Sequence, residues 1–184
     1  MKRKGARLML LVGASLSGLV VLALAAEDKY TVKVPDGLAF SEFRGYESWQ
    51  VVSMSQDGGL MAATLGNPVM IKAYLAGVPG NGKPFPDGAK LAKIHWNPKN
   101  LETFPRATVP GTQHDVDFMV KDSKRFAATG GWGYAAFDYD PASGAFTPGT
   151  LADKPPQAHD ARCGFTCHSI VKTRDYVFTE YQHR

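Results

Sequence analysis

Near the end of the chain, Arg162-Cys163-Gly164-Phe165-Thr166-Cys167-His168 holds both of the cysteines in 184 residues. A histidine directly behind the second cysteine is the arrangement that attaches a c-type haem. Each thiol adds to a vinyl group of the porphyrin, and the imidazole takes an axial position on the iron. The common spacing leaves two residues between the cysteines; this chain has three, which bears on whether both thioether bonds form. Two other chemistries fit the same residues. On a helix, positions i and i+4 bring Cα atoms about 6 Å apart, within disulfide range, and an oxidising compartment would favour that bond. A zinc site would draw on Cys163, Cys167, His159 and His168, but one short helix would have to present all four around a tetrahedral ion. On the haem reading the cofactor is one haem c per chain, covalently bound through Cys163 and Cys167, with His168 as the axial ligand to the iron.

The first residues bear on the compartment. Lys2, Arg3, Lys4 and Arg7 precede an apolar stretch from Leu8 to Leu24, and small residues close it around Ala25-Ala26 before Glu27. This pattern predicts a secretory signal peptide over residues 1–26 and a mature domain over 27–184; an uncleaved membrane anchor is the alternative, since the stretch lies near the lower length limit for a span. Export matters chemically, because bacterial c-type haem is attached outside the cytoplasm. The whole chain carries 21 Lys+Arg against 17 Asp+Glu. Four of the basic residues precede Glu27, so the remainder holds 17 of each sign and a formal net charge of zero. That balance gives no basis for a nucleic-acid partner.

The elements that must position Cys163 and His168 are short. Frequent Gly and Pro predict short strands and a few helices in an α+β domain with an antiparallel sheet. A strand is expected over Ser48–Gln56, turning at Asp57-Gly58-Gly59. Asn67-Pro68 supplies an N-cap and a first-turn proline for a helix over Pro68–Ala76, stopped by Gly77 and Pro79. Pro79–Gly88 is loop. Ala89–Trp96 is expected as a strand with Ala92, Ile94 and Trp96 on one face and Leu91, Lys93 and His95 on the other. In Gln113–Val120, His114, Val116, Phe118 and Val120 alternate with Asp115 and Asp117. Asp122 is placed to cap a short helix through Phe126. Thr129-Gly130-Gly131 turns into a strand over Trp132–Tyr139, and Asp140–Pro156 is loop. A haem-bearing helix over His159–Lys172 and a last strand over Asp175–Gln182 complete the domain.

Val120-Lys121-Asp122-Ser123-Lys124-Arg125-Phe126, then Gly131-Trp132-Gly133-Tyr134, resembles the cytochrome P-460 family, which includes the cytochromes c′-beta. The tail Lys172-Thr173-Arg174-Asp175-Tyr176-Val177-Phe178-Thr179 is similar to that family as well, as is Phe85-Pro86-Asp87-Gly88 leading to Lys93. The resemblance is good over the second half and loose over Tyr46–Gly77. It implies a periplasmic, mostly antiparallel β protein, a homodimer in many members, with a five-coordinate c-type haem. Some members oxidise hydroxylamine with nitric oxide chemistry on the pathway, and others bind small gases such as nitric oxide. In the oxidising members a lysine is cross-linked to the haem ring, and its position falls on Lys93.

Weighed residue by residue, Lys93 is either a solvated lysine on the polar face or a residue pointing into a haem pocket. His114 reads as a core histidine with a hydrogen-bond partner; a distal haem role is the other possibility, shared with His95. Asp115 and Asp117 are candidate proton acceptors for an oxidation, or exposed strand residues. Trp132, Tyr134, Phe137, Tyr176 and Phe178 are chiefly core. The function expected is a periplasmic monohaem cytochrome acting on hydroxylamine or nitric oxide, with electrons leaving to a soluble acceptor such as another cytochrome. A non-enzymatic gas-binding or electron-transfer cytochrome is the runner-up, and a haem-free secreted protein with a disulfide is a third class. Met54, Met61, Met70 and Met119 are the candidate sixth ligands if the iron is closed.

Overall fold

The computed structural model describes residues 28–34, 37–149 and 162–182, except for the side chains of Arg162 and Cys163. The expected signal peptide, His159 and the Cys163 thiol therefore lie outside the described residues.

Strand formation follows the turn chemistry closely. β1 (Gln50–Asp57) and β2 (Leu60–Gly66) are joined by Gly58-Gly59, both at positive φ. That is the two-residue hairpin that glycine permits. Asn67 then caps α1 (Pro68–Leu75): its side-chain oxygen accepts from the Met70 amide at 2.9 Å and the Lys90 amide at 3.0 Å. One side chain thus starts the helix and pins it to the next strand. Gly77, at φ 86°, ends it. β3 (Lys90–Leu101) and β4 (Phe104–Lys121) form a long hairpin, and β5 (Trp132–Asp140) and β6 (Ala145–Pro148) follow. All six strands lie in sequence order in one antiparallel sheet.

Each face of the sheet has its own core. On one face Val116, Phe118 and Phe137 pack beneath the N-terminal 3-10 turns, whose Phe40 and Phe43 are fully buried. Phe43 stacks on Phe118 with ring centroids 4.1 Å apart. On the other face Leu91, Met119, Trp132 and Tyr134 meet α1, Phe85 and the C-terminal Tyr176 and Val177.

Several expectations need correction. The strand β2 was not foreseen, because most of its residues are buried on both faces and no alternation marks it. β6 falls within the segment expected as loop; it is a four-residue edge strand. Asp122 caps a turn, accepting from the Lys124 and Arg125 amides at 3.1 and 2.9 Å. The chain passes into a 3-10 turn at Ala127–Thr129 without forming the expected helix. The expected helix over His159–Lys172 is, among the described residues, α2 (Arg162–His168) followed by a 3-10 segment, Ser169–Arg174. Asp175–Gln182 forms no strand: Asp175 and Tyr176 both take positive φ, 50° and 65°, which breaks the extension. His114 is not in the core. The register skips one residue between His95↔Asp115 and Trp96↔Gln113. His114 is therefore the extra residue of a bulge, and its side chain is 48% exposed.

Candidate functional site

The strand register sets out one face of the sheet in rows. Gly66, Leu91, Met119 and Tyr134 form one row; Thr64, Lys93, Asp117 and Ala136 form the next; Ala62, His95, Asp115 and Asp138 form the third. Directly paired residues share a face, so this surface grades from apolar to ionisable within two steps along the strands.

α2 lies over the apolar end of this face. Gly164 makes the approach possible, since a Cβ there would sit 2.7 Å from the Tyr134 Cβ. One turn further on, the His168 ring lies 5.0 Å from the Tyr134 ring and 5.0 Å from Phe178. Its Nδ1 is 2.7 Å from the Tyr176 carbonyl oxygen. A carbonyl only accepts, so Nδ1 carries the hydrogen and Nε2 keeps its lone pair. Burial lowers the His168 pKa, and the Lys93 charge lowers it further against the opposing carbonyl hydrogen bond. The imidazole is thus held neutral, in the tautomer a metal requires.

His168, Lys93 and Asp117 line one cavity of about 430 Å³, with Thr64, Leu91, Met119, Val177 and Phe178 among the other walls. The volume is in the range of cofactor sites. Lys93 therefore points into the cavity, on the face that looks solvated in the sequence. Asp117 does too. Its side chain is 48% exposed, and the opening it faces is the cavity. Burial pushes its pKa up to about 6, and the neighbouring Asp115 carboxylate adds to the rise. Asp115 behaves oppositely. Burial pushes it up, but hydrogen bonds with His95 and with His114, the latter at 2.7 Å, outweigh this and hold its pKa low.

Cys167 lies on α2 with a free, exposed thiol. The backbone of Cys163 is one helical turn earlier. The structure thus brings together His168, Lys93 and Asp117, while the exposed Cys167 does not line the cavity. His95, Asp115 and His114 form a hydrogen-bonded group beside them. Trp132, Tyr134, Phe137 and Tyr176 are buried as expected, whereas Phe178 is 49% exposed at the cavity wall. Thr64, Val177 and the Tyr176 carbonyl were not foreseen. Nothing local marks them; strand pairing makes Thr64 a wall residue, and the fold-back after Arg174 brings Val177 to the wall and the Tyr176 carbonyl to His168.

The residues present fit a haem. A neutral imidazole leaves one nitrogen free, an apolar row lies beside it, and the Tyr134 hydroxyl is buried with no hydrogen-bond partner among the described residues. A neutral imidazole on an apolar wall is what an axial haem ligand requires. Residues 43–179 match the family model Cytochrome P460, and the chain belongs to the cytochrome P460 family. The matched span includes all the motifs on which the resemblance rested, and it covers Tyr46–Gly77, where the resemblance was loose. No curated protein matches the chain.

Proposed function

We propose that the protein is a periplasmic monohaem c-type cytochrome that takes a small nitrogen species at an open iron position and oxidises hydroxylamine. The observation that carries this is the shared cavity: Lys93, Asp117 and His168 all line the same space. Haem held through Cys163, Cys167 and His168 would supply an iron that binds the nitrogen species and takes up its electrons. The chain's own residues do the rest. The Tyr176 carbonyl fixes the His168 ring, Leu91 and Val177 keep part of the cavity wall apolar, and Asp117 accepts a proton from the substrate. A soluble acceptor, such as another cytochrome, would remove the electrons.

Asp117 gives this a pH signature. Above about pH 6 it is a carboxylate and accepts a proton; below, it is protonated and idle. Turnover at saturating hydroxylamine, where protonation of the free substrate near the same pH drops out, should fall as pH drops through about 6, and Asp117→Asn should remove that limb along with most of the activity. Stability has the opposite sign. A carboxyl whose pKa is raised by folding contributes most at low pH and loses that contribution as pH rises through its folded value. Asp117→Asn should therefore raise the melting temperature relative to the parent above pH 6, and not at pH 4. An unchanged acid limb in the Asn variant would rule out Asp117 as the base.

A second reading, a closed electron-transfer cytochrome, has one observation behind it. Of the four candidate methionines Met119 lines the cavity, whereas Met54 is 57% exposed and Met70 is fully buried on the inner face of α1. Methionine ligation would raise the potential and block the substrate position. Resonance Raman and magnetic spectra of the ferric protein decide between the two. High-spin five-coordinate iron is expected; a low-spin His/Met spectrum would overturn the open site.

A further inference from the structure

Lys121 is a buried lysine, 5% exposed. Its Nζ donates to both carboxylate oxygens of Asp175, at 2.8 and 3.0 Å, and to the Gly130 carbonyl at 3.0 Å. It also sits 5.0 Å from the centre of the Trp132 ring. Asp175 accepts in turn from the Phe85 amide at 2.8 Å. Four segments converge on this one ion pair: the loop before β3, the end of β4, the Gly130-Gly131 turn and the C-terminal tail.

The tail is where the convergence has an effect. Asp175 and its neighbour Tyr176 are both left-handed, at φ 50° and 65°, a conformation that side-chain-bearing residues rarely adopt. Two in succession persist only where the surroundings impose them. The Asp175 carboxylate, gripped by Lys121 and the Phe85 amide, is one such restraint. A second is the Tyr176 ring, packed so tightly against Gly130 that a Cβ on that glycine would lie 2.2 Å from it. The result is that the Tyr176 carbonyl turns back to accept from His168 Nδ1.

We infer that Lys121 and Asp175 are a positioning pair for the axial histidine: they hold the turn that aims the Tyr176 carbonyl at His168, and so set how strongly that imidazole donates to the iron. This rests on the haem reading above. Donation from Nδ1 to a carbonyl makes the imidazole a more basic ligand, which favours ferric over ferrous iron. Loosening the turn should weaken the bond.

The test uses haem-loaded Lys121→Met and Asp175→Asn, with Glu42→Gln as the comparison. Glu42 pairs with Arg125 at 2.7 Å and makes no hydrogen bond or ion pair to the tail among the described residues. Both Lys121→Met and Asp175→Asn should lower the ferrous iron–histidine stretching frequency and move the midpoint potential upward, while Glu42→Gln moves neither. A haem-loaded Lys121 or Asp175 variant with the parent's frequency and potential would overturn the inference. So would equal shifts in Glu42→Gln. Failure of both variants to load haem while Glu42→Gln loads it would make the pair a folding element, and the inference would fall. A parent protein without haem would overturn the haem reading itself, and the parent's spectrum shows this before any variant is made.

Discussion

Protein exported and matured with the c-type apparatus should hold haem that stays on the polypeptide through denaturation and acid–acetone extraction. Mass spectrometry should place one haem on the peptide containing Cys163 and Cys167. The three-residue spacing is compatible with two bonds for a geometric reason. At about 100° per residue, positions i+3 and i+4 lie about 60° to one side and about 40° to the other of the starting residue, both on its own helix face. Cys167 and His168 keep their usual adjacency, so the extra residue displaces only Cys163. Cys163→Ala and Cys167→Ala should each retain haem through a single thioether, with the pyridine haemochrome band moved to the red. The double variant should retain none covalently. His168→Gly should keep both thioethers, lose the axial ligand, and regain the parent's spectrum on addition of imidazole. Properly matured protein with no haem and a Cys163–Cys167 disulfide would end the cytochrome reading.

The helix that carries Cys167 and His168 was legible because its motif is local: the two residues are adjacent, and no tertiary contact is needed to see them. α1 was legible for the same reason, since Asn67, Pro68 and Gly77 mark its ends within eleven residues. The residues that were misjudged depend on distance in the chain. Tyr176-Val177-Phe178 has the composition of a strand, but the two left-handed residues at its start depend on an ion pair to Lys121, 54 positions away. Alternation in β3 and β4 separates a polar from an apolar face correctly. It cannot tell whether the polar face meets water or a cavity. Lys93 and Asp117 look like solvent-facing residues for that reason, and only the packing of α2 and the tail over the sheet encloses them. His114 was displaced by a bulge, which alternation counted from either side does not register. The Lys93 position was visible through family resemblance, and its own neighbourhood in sequence carries no sign of it.

Lys93 should decide whether this cytochrome oxidises its ligand or only binds it. Its Cα pairs with Thr64 on one side and Asp117 on the other, in the row next to Leu91 and Met119. It lines the same cavity as His168, near enough for its charge to lower the imidazole pKa. A haem held by His168 in this cavity would share it with Lys93. A bond there would distort the porphyrin and shift both its spectrum and the iron's potential. The expected result is a ferrous absorption well to the red of an ordinary c-type cytochrome, with haem found on a peptide containing Lys93 as well as on the cysteine peptide. Such protein should oxidise hydroxylamine with an artificial electron acceptor. Lys93→Ala should bring turnover down to the rate without protein and return the spectrum to that of an ordinary c-type haem. The cysteine-bound haem should remain, because Cys163, Cys167 and His168 are untouched. Lys93→Arg, which keeps the charge but not the amine, should behave like Lys93→Ala if the bond is what matters, and like the parent if only the charge does. An ordinary parent spectrum that Lys93→Ala leaves unchanged would remove the oxidase reading. The gas-binding cytochrome would then stand in its place, and adding nitric oxide to the reduced protein would test it.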